Sequence, residues 1–251
     1  MILQTIRKKQ PLIHSITNYV VSNFQANGLL AIGASPVMAD EGKEVEEMVS
    51  IASALLINIG TLNERTKESM LLAGKKANEL GIPVILDPVG VGATSFRKET
   101  VQQLLAEVKF VLIRCNIGEL AAIANVNWQQ KGVDSGSGSI DLTDEATKIA
   151  QQYNSFVIVT GEKDFITNGD QSQWIEGGHH CMTEITGTGC LLSAICSAAF
   201  VAGDDPFAQL VDTLATYKKI AEHAHFNTQF IGDFQTTVLN ELNRLSREGE
   251  K

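Results

Sequence analysis

Residues 54–86 read ALLINIGTLNERTKESMLLAGKKANELGIPVIL, and the fold follows from them. The segment opens on the apolar run Ala54–Ile59, passes through a stretch of helical pattern over Glu64–Leu80, and closes on a second apolar run at Ile82–Leu86. Short continuous apolar runs suit strands that helices cover on both faces, and a helix between two such strands makes their connection parallel. The alternation continues along the chain. A Gly-rich loop after Asp87 leads to a helix near 97–107, a strand at Phe110–Ile113, a helix after Asn116 and a strand at Phe156–Val159. These elements predict an α/β fold, a three-layer αβα sandwich around a central, mostly parallel sheet.

Further out, the turn Asn168-Gly169-Asp170 between short alternating runs in 163–183 predicts a β-hairpin. Residues beyond Gly187 read as largely helical. Residues 17–32 read as a helix with Val20, Val21, Phe24 and Leu29 as candidate core residues. The Gly/Ser-rich stretch 132–141 is expected to be a mobile surface connection rather than a linker. With no internal repeat, residues 1–251 are expected to form a single domain.

Composition narrows the function classes. The 251 residues carry a formal net charge of −9, and the one basic cluster, Arg7-Lys8-Lys9, is short. A nucleic-acid partner needs a basic face, so none is expected. No apolar run approaches the ~18 residues of a membrane span, and MILQTIRKKQ does not read as a signal peptide. Cysteines 115, 181, 190 and 196 show neither a CxxC pair nor the spacing of a disulfide framework or zinc site. The expectation is a cytoplasmic protein with reduced thiols. His179-His180 is expected on the surface of the hairpin, and His14 as a structural histidine.

The segment richest in chemistry is Ile185-Thr186-Gly187-Thr188-Gly189-Cys190, which runs directly into LLSAICSAAF. Glycines there let backbone N–H groups converge where a helix begins, and a helix N-terminus can hold a phosphoryl group. A tight turn entering a packed helix is the plainer alternative. Cys190 has two readings as well. A thiol in the first turn of a helix can have its pKa lowered and serve as a base, whereas most free cysteines are small buried apolar residues.

Several ordered motifs together resemble one family. Thr186–Cys190 resembles the GxGD signature of ribokinase-like kinases, with cysteine in place of aspartate. Asn116-Ile117-Gly118-Glu119 is similar to their NxxE element, and Asp87-Pro88-Val89-Gly90 to their DPV segment. His14-Ser15-Ile16-Thr17-Asn18, Asn27-Gly28-Leu29-Leu30, Gly33–Met38 and Asn58-Ile59-Gly60-Thr61 resemble the hydroxyethylthiazole kinase family in particular, and the resemblance spans residues 11 to about 240.

The resemblance implies a ribokinase-like fold and transfer of the γ-phosphoryl of ATP to hydroxyethylthiazole, feeding thiamine synthesis. It implies that Cys190, Gly187 and Gly189 form the catalytic turn and that Arg114 and Thr160 contact ATP. Met38, Gly187 and Asn18 would contact the thiazole, and Glu119 and Asp87 would act near Mg2+. A homotrimer with pockets between neighbours is implied too. Whether Cys190 takes the proton of the alcohol or mainly positions the alcohol stays open. So do the alternatives of a hydroxymethylpyrimidine kinase, a nucleotide-hydrate dehydratase on the same fold, and a non-catalytic ligand-binding regulator.

Overall fold

The computed structural model describes residues 1–126, 129–131, 135–137, 141–228 and 230–249. Its strands are β1 (Leu12–Ile16), β2 (Ser35–Val37), β3 (Ala54–Asn58), β4 (Val84–Asp87), β5 (Leu112–Asn116), β6 (Gln129–Lys131), β7 (Ser135–Ser137), β8 (Phe156–Thr160), β9 (Asp164–Thr167) and β10 (Ser172–Ile175). Its helices are α1 (Ile2–Lys9), α2 (Ser22–Ala31), α3 (Val45–Ser50), α4 (Glu64–Leu80), α5 (Ser95–Glu107), α6 (Ile117–Ile123), α7 (Leu142–Tyr153), α8 (Thr188–Phe200), α9 (Pro206–Phe226) and α10 (Ile231–Ser246). Among the described residues no helix is long and apolar enough to cross a membrane.

Eight strands form one sheet in the order β10-β9-β8-β5-β4-β3-β1-β2. Six of them, from β8 to β2, are parallel, and the β9–β10 hairpin adds an antiparallel edge. Period-2 alternation sends each strand's side chains into two separate cores. Leu56, Ile85, Leu112 and Ile158 pack with α1, α2, α8, α9 and α10 on one face. Leu55, Ile57, Leu86 and Ile113 pack with α3 to α7 on the other. The result is the three-layer αβα arrangement read from the sequence.

The polar ends of the strands were harder to read. Apolar runs mark β4, β5 and β8, but each continues to a polar residue at its C-terminal end: Asp87, Asn116 and Thr160. The expected strand at 110–113 is therefore β5 at 112–116. The N-terminal region departs further. The helix expected over 17–32 spans only 22–31, because residues before it form β1 and then a turn in which Val21 and Ser22 N–H groups donate to Asn18 O. Val20, expected in the core, is 59% exposed on that turn, while Val21, Phe24 and Leu29 are buried. Strand β1 has no continuous apolar run because it buries His14 and Ser15, and β2 contains Pro36, which an edge strand tolerates.

The hairpin closes as expected. Asn168 Oδ1 accepts from Asp170 N at 3.1 Å and Gln171 N at 2.9 Å, and Gly169 supplies the positive φ. Of the Gly/Ser-rich stretch, Ser135–Ser137 pair antiparallel with Gln129–Lys131, Asp141 caps α7, and residues 132–134 and 138–140 lie outside the described residues.

Candidate active site

The chain order of the sheet reverses between β1 and β3, which opens a crevice at the C-terminal ends of the strands. Polar residues line this edge. Asn58 ends β3 directly opposite Asp87 of β4, and Asn116 of β5 is opposite Thr160 of β8. Asn18, just past β1, donates from Nδ2 to Asn58 Oδ1 at 2.9 Å, spanning the crevice. The same amide lies 3.7 Å from Cys190 Sγ, so α8 enters at this point.

Gly187 is the N-cap of α8, and two constraints require glycine there. Its φ is +96°, and a Cβ would stand 2.5 Å from Val21 Cγ1. The helix offers no side-chain cap, and its first backbone bond is Leu191 N to Gly187 O at 2.8 Å. The N–H groups of Thr188, Gly189 and Cys190 thus face the crevice end without helical acceptors. Neighbouring elements fix the turn through its carbonyls. Tyr217 Oη donates to Thr188 O at 2.9 Å, and Gln25 Nε2 donates to Cys190 O at 2.8 Å.

Arg114 stands beside these N–H groups. Its Nη2 donates to Thr160 Oγ1 at 2.5 Å, and its Nη1 lies 3.6 Å from Asp87 Oδ1. Gly189 admits the guanidinium, since a Cβ there would come 2.7 Å from Nη2. Burial opposes the charge on Arg114, but Asp87 and Glu119 outweigh it and hold the guanidinium ionised. A fixed cation and a helix N-terminus converge on one anion-binding point.

Two buried carboxyls complete the electrostatics. Asp87 Oδ2 accepts from Asn58 Nδ2 at 2.7 Å and from Ser193 Oγ at 2.9 Å, whereas the buried Oδ1 has no hydrogen-bond partner. Burial raises the Asp87 pKa, and Arg114, Ser193 and Asn58 act against it. Glu119 sits in a capping box with Asn116: Oε2 accepts from Asn116 N at 2.9 Å, and Oε1 accepts from Gly90 N at 2.9 Å. Burial, reinforced by Asp87, pushes the Glu119 pKa up to about 7. A hard cation fits this donor set. Asp87 Oδ1 is a buried acceptor with no hydrogen bond, facing Arg114 Nη1 at 3.6 Å, and Glu119, already committed to two N–H groups, suits contact through water.

Of the two readings of Cys190, its surroundings support the buried one: burial and the Asp87 carboxylate push the thiol pKa up to about 12. The opposing effects of Asn58, Arg114 and Asn18 are smaller.

The structure brings together Asn18, Asp87, Arg114, Thr160, Gly187, Gly189 and Cys190, with Glu119 coupled to them by charge. Met38 is half-buried just past β2, on the strand-end side of the sheet where Asn18 follows β1. His14 is buried with Nε2 2.8 Å from Ala39 O, a structural role as expected. Asn58, Ser193 and Lys218 were missed as site residues. Asn58 had a visible signal, a lone amide in an otherwise apolar strand, whereas Ser193 lies one helical turn after Cys190 and resembles any small helix residue. Lys218 is buried in α9 and donates from Nζ to Gly161 O, Glu162 O and Gly177 O at 3.0–3.3 Å, beside Asp164 Oδ1 at 3.2 Å. It holds the loop after Thr160 in place.

The hydroxyethylthiazole kinase family model matches residues 3–248. A hydroxyethylthiazole kinase of Lysinibacillus sphaericus is 71% identical over 250 residues, covering 100% of this chain and 98% of its own length. The solved structure of a hydroxyethylthiazole kinase from Pyrococcus horikoshii superposes with a TM-score of 0.88 at 36% identity, covering 99% of this chain and 94% of that one. A ribokinase-like superfamily protein from Enterococcus faecalis, at 10% identity and a TM-score of 0.71, shares the fold over 96% of this chain and 89% of its own.

Proposed function

The chain belongs to the hydroxyethylthiazole kinase family, and from that premise we propose that it transfers the γ-phosphoryl group of ATP to the hydroxyl of 4-methyl-5-(2-hydroxyethyl)thiazole, giving the thiazole phosphate used in thiamine synthesis and salvage. The observation that carries the reading is the approach of the Arg114 guanidinium to Gly189 at the N-terminus of α8. That arrangement stabilises charge on a phosphoryl group in transfer, which is most of what such an enzyme must do.

In this reading the γ-phosphoryl group lies on the N–H groups of residues 188–190, with Arg114 and Thr160 on its nucleotide side. The thiazole lies between Asn18, Gly187 and Met38. The alcohol oxygen forms the new bond to phosphorus as the bond to the β,γ-bridging oxygen breaks, and ADP departs. A thiol whose pKa is about 12 is protonated at neutral pH, so it supports a positioning role for Cys190. The alcohol then gives up its proton late, to a phosphoryl oxygen, as a loose transition state permits. Asp87 and Glu119 would hold Mg2+, directly and through water, and the ion would supply charge neutralisation on the phosphates.

A homotrimer agrees with the exposed side chains of Tyr19 and Val20, 80% and 59% accessible immediately beyond Asn18. A neighbouring copy covering them would help to close the thiazole pocket.

The test is ADP release from ATP and Mg2+ with and without hydroxyethylthiazole, with a hydroxymethylpyrimidine and a nicotinamide-nucleotide hydrate as controls. ADP that appears only with the thiazole is expected. Release with the pyrimidine alone, or dehydration of the hydrate, would replace this reading with another activity of the same fold.

A further inference from the structure

His179 and His180 were expected on the surface of the hairpin; His180 is exposed, but the pair lies after the hairpin and not within it. They follow β10 and lead into a 3-10 turn at His180–Thr183. One donor atom each from His179, His180 and Cys181 lie within 4.8 Å of one another. The last turn of α9 adds a fourth group, His225, 44 residues away in sequence. Its Nδ1 is 3.6 Å from Cys181 Sγ, and its ring stacks on that of His179 with centroids 3.5 Å apart and planes at 13°.

We propose that His179, His180 and Cys181, joined by His225 once its ring turns off that of His179, form a binding site for a borderline-soft divalent transition ion such as zinc. The spacing supports it. Ligand bonds of about 2.3 Å to sulfur and 2.0–2.1 Å to nitrogen at a tetrahedral angle separate the two donors by roughly 3.5 Å, close to the observed Cys181–His225 distance. The donor set of imidazoles and a thiol selects zinc-like ions over magnesium. A supporting carboxylate is also in place, since Glu184 Oε1 lies 3.4 Å from His180 Nε2 and leaves Nδ1 of that ring to coordinate.

The site is separate from the Asp87–Glu119 pair but joined to the anion-binding turn. Met182 lies within the 3-10 turn, and its carbonyl accepts from Thr188 Oγ1 at 2.7 Å. An ion bridging His179–Cys181 to His225 would tie this turn to α9 and steady the start of α8.

The test is a cobalt titration of the reduced, EDTA-treated full chain without nucleotide. One equivalent is expected to bind per chain, with a thiolate-to-cobalt charge-transfer band that zinc abolishes. Cys181→Ser should remove the band, while Cys190→Ser keeps it. His225→Ala and His180→Ala should each weaken cobalt binding about 10-fold or more. Both rings are exposed, so circular dichroism is expected to match the parent protein. No band, a band that survives Cys181→Ser, or affinities unchanged in both histidine variants would overturn the site.

Discussion

The guanidinium of Arg114 rests on the backbone of Gly189, so close that a methyl group on that residue would come 2.7 Å from Nη2 and 2.9 Å from Nη1. Thr160 and Asp87 hold the guanidinium on its other sides, so it has little freedom to retreat. Gly189→Ala should therefore displace the cation from the phosphoryl site. The expected result is a loss of about 100-fold in turnover, the scale of removing one transition-state contact, with a lowered melting temperature because the buried guanidinium is pressed against Thr160 and Asp87. Steady-state kinetics beside a melting curve checks it, and wild-type turnover would show that the guanidinium does not act from this position.

Cys190 separates base from positioner. A general base contributes about 10²–10⁴-fold. With the thiol pushed up to about 12, Cys190→Ser should keep turnover within about 10-fold of the parent, because serine can still hydrogen-bond the alcohol, and Cys190→Ala should lose more. Nucleotide affinity should persist in both, measured by calorimetry with ADP. A collapse of turnover in the serine variant equal to that in alanine would restore the base role.

Glu119 sets a pH dependence. Its carboxyl ionises in the folded protein at about 7, above the ordinary 4.5, so the folded state binds the extra proton between those values. The sign follows: stability from this group is fully present below about 4.5 and is lost as pH rises to about 7, by about 1–3 kcal/mol. Urea unfolding of the parent and Glu119→Gln across pH 4.5–7.5 should show the parent losing ground to the variant. Productive Mg-ATP binding should rise through the same window in the parent, as the carboxylate forms, and a flat profile would remove Glu119 from the metal's surroundings.

Asn58 donates to Asp87 Oδ2 at 2.7 Å in a fully buried setting. Asn58→Asp would turn that donor into a second carboxyl facing the first. The expected cost is about 2–5 kcal/mol at neutral pH, lowering the melting temperature by about 5 °C or more. The deficit should shrink on acidification, when the pair can share or gain protons. A melting series from pH 5 to 8 tests this, and a pH-independent deficit would point to packing instead.

The layered fold was legible because its signals are local. Apolar runs of strand length, a helical period between them, Asn168-Gly169 at a turn and glycines before a helix all act through neighbours in the chain. The parts of the sheet that escaped were β1, which buries His14 and Ser15, and β2, which contains Pro36; His14 finds its partner, Ala39 O, 25 residues on in the chain.

What the sequence by itself determined was the αβα architecture, the glycine turn at Gly187–Cys190 that leads into a helix and, through its ordered motifs, the family. Tertiary structure alone decided which polar strand ends meet, that Asn18 spans the crevice to Asn58, and that His225 joins His179–Cys181. It also decided that burial and nearby charge raise the pKa values of Cys190 and Glu119. A residue's position in a helix is written locally, but the free energy of its charge depends on the solvent removed and the charges gathered around it, and those come from segments distant in the chain.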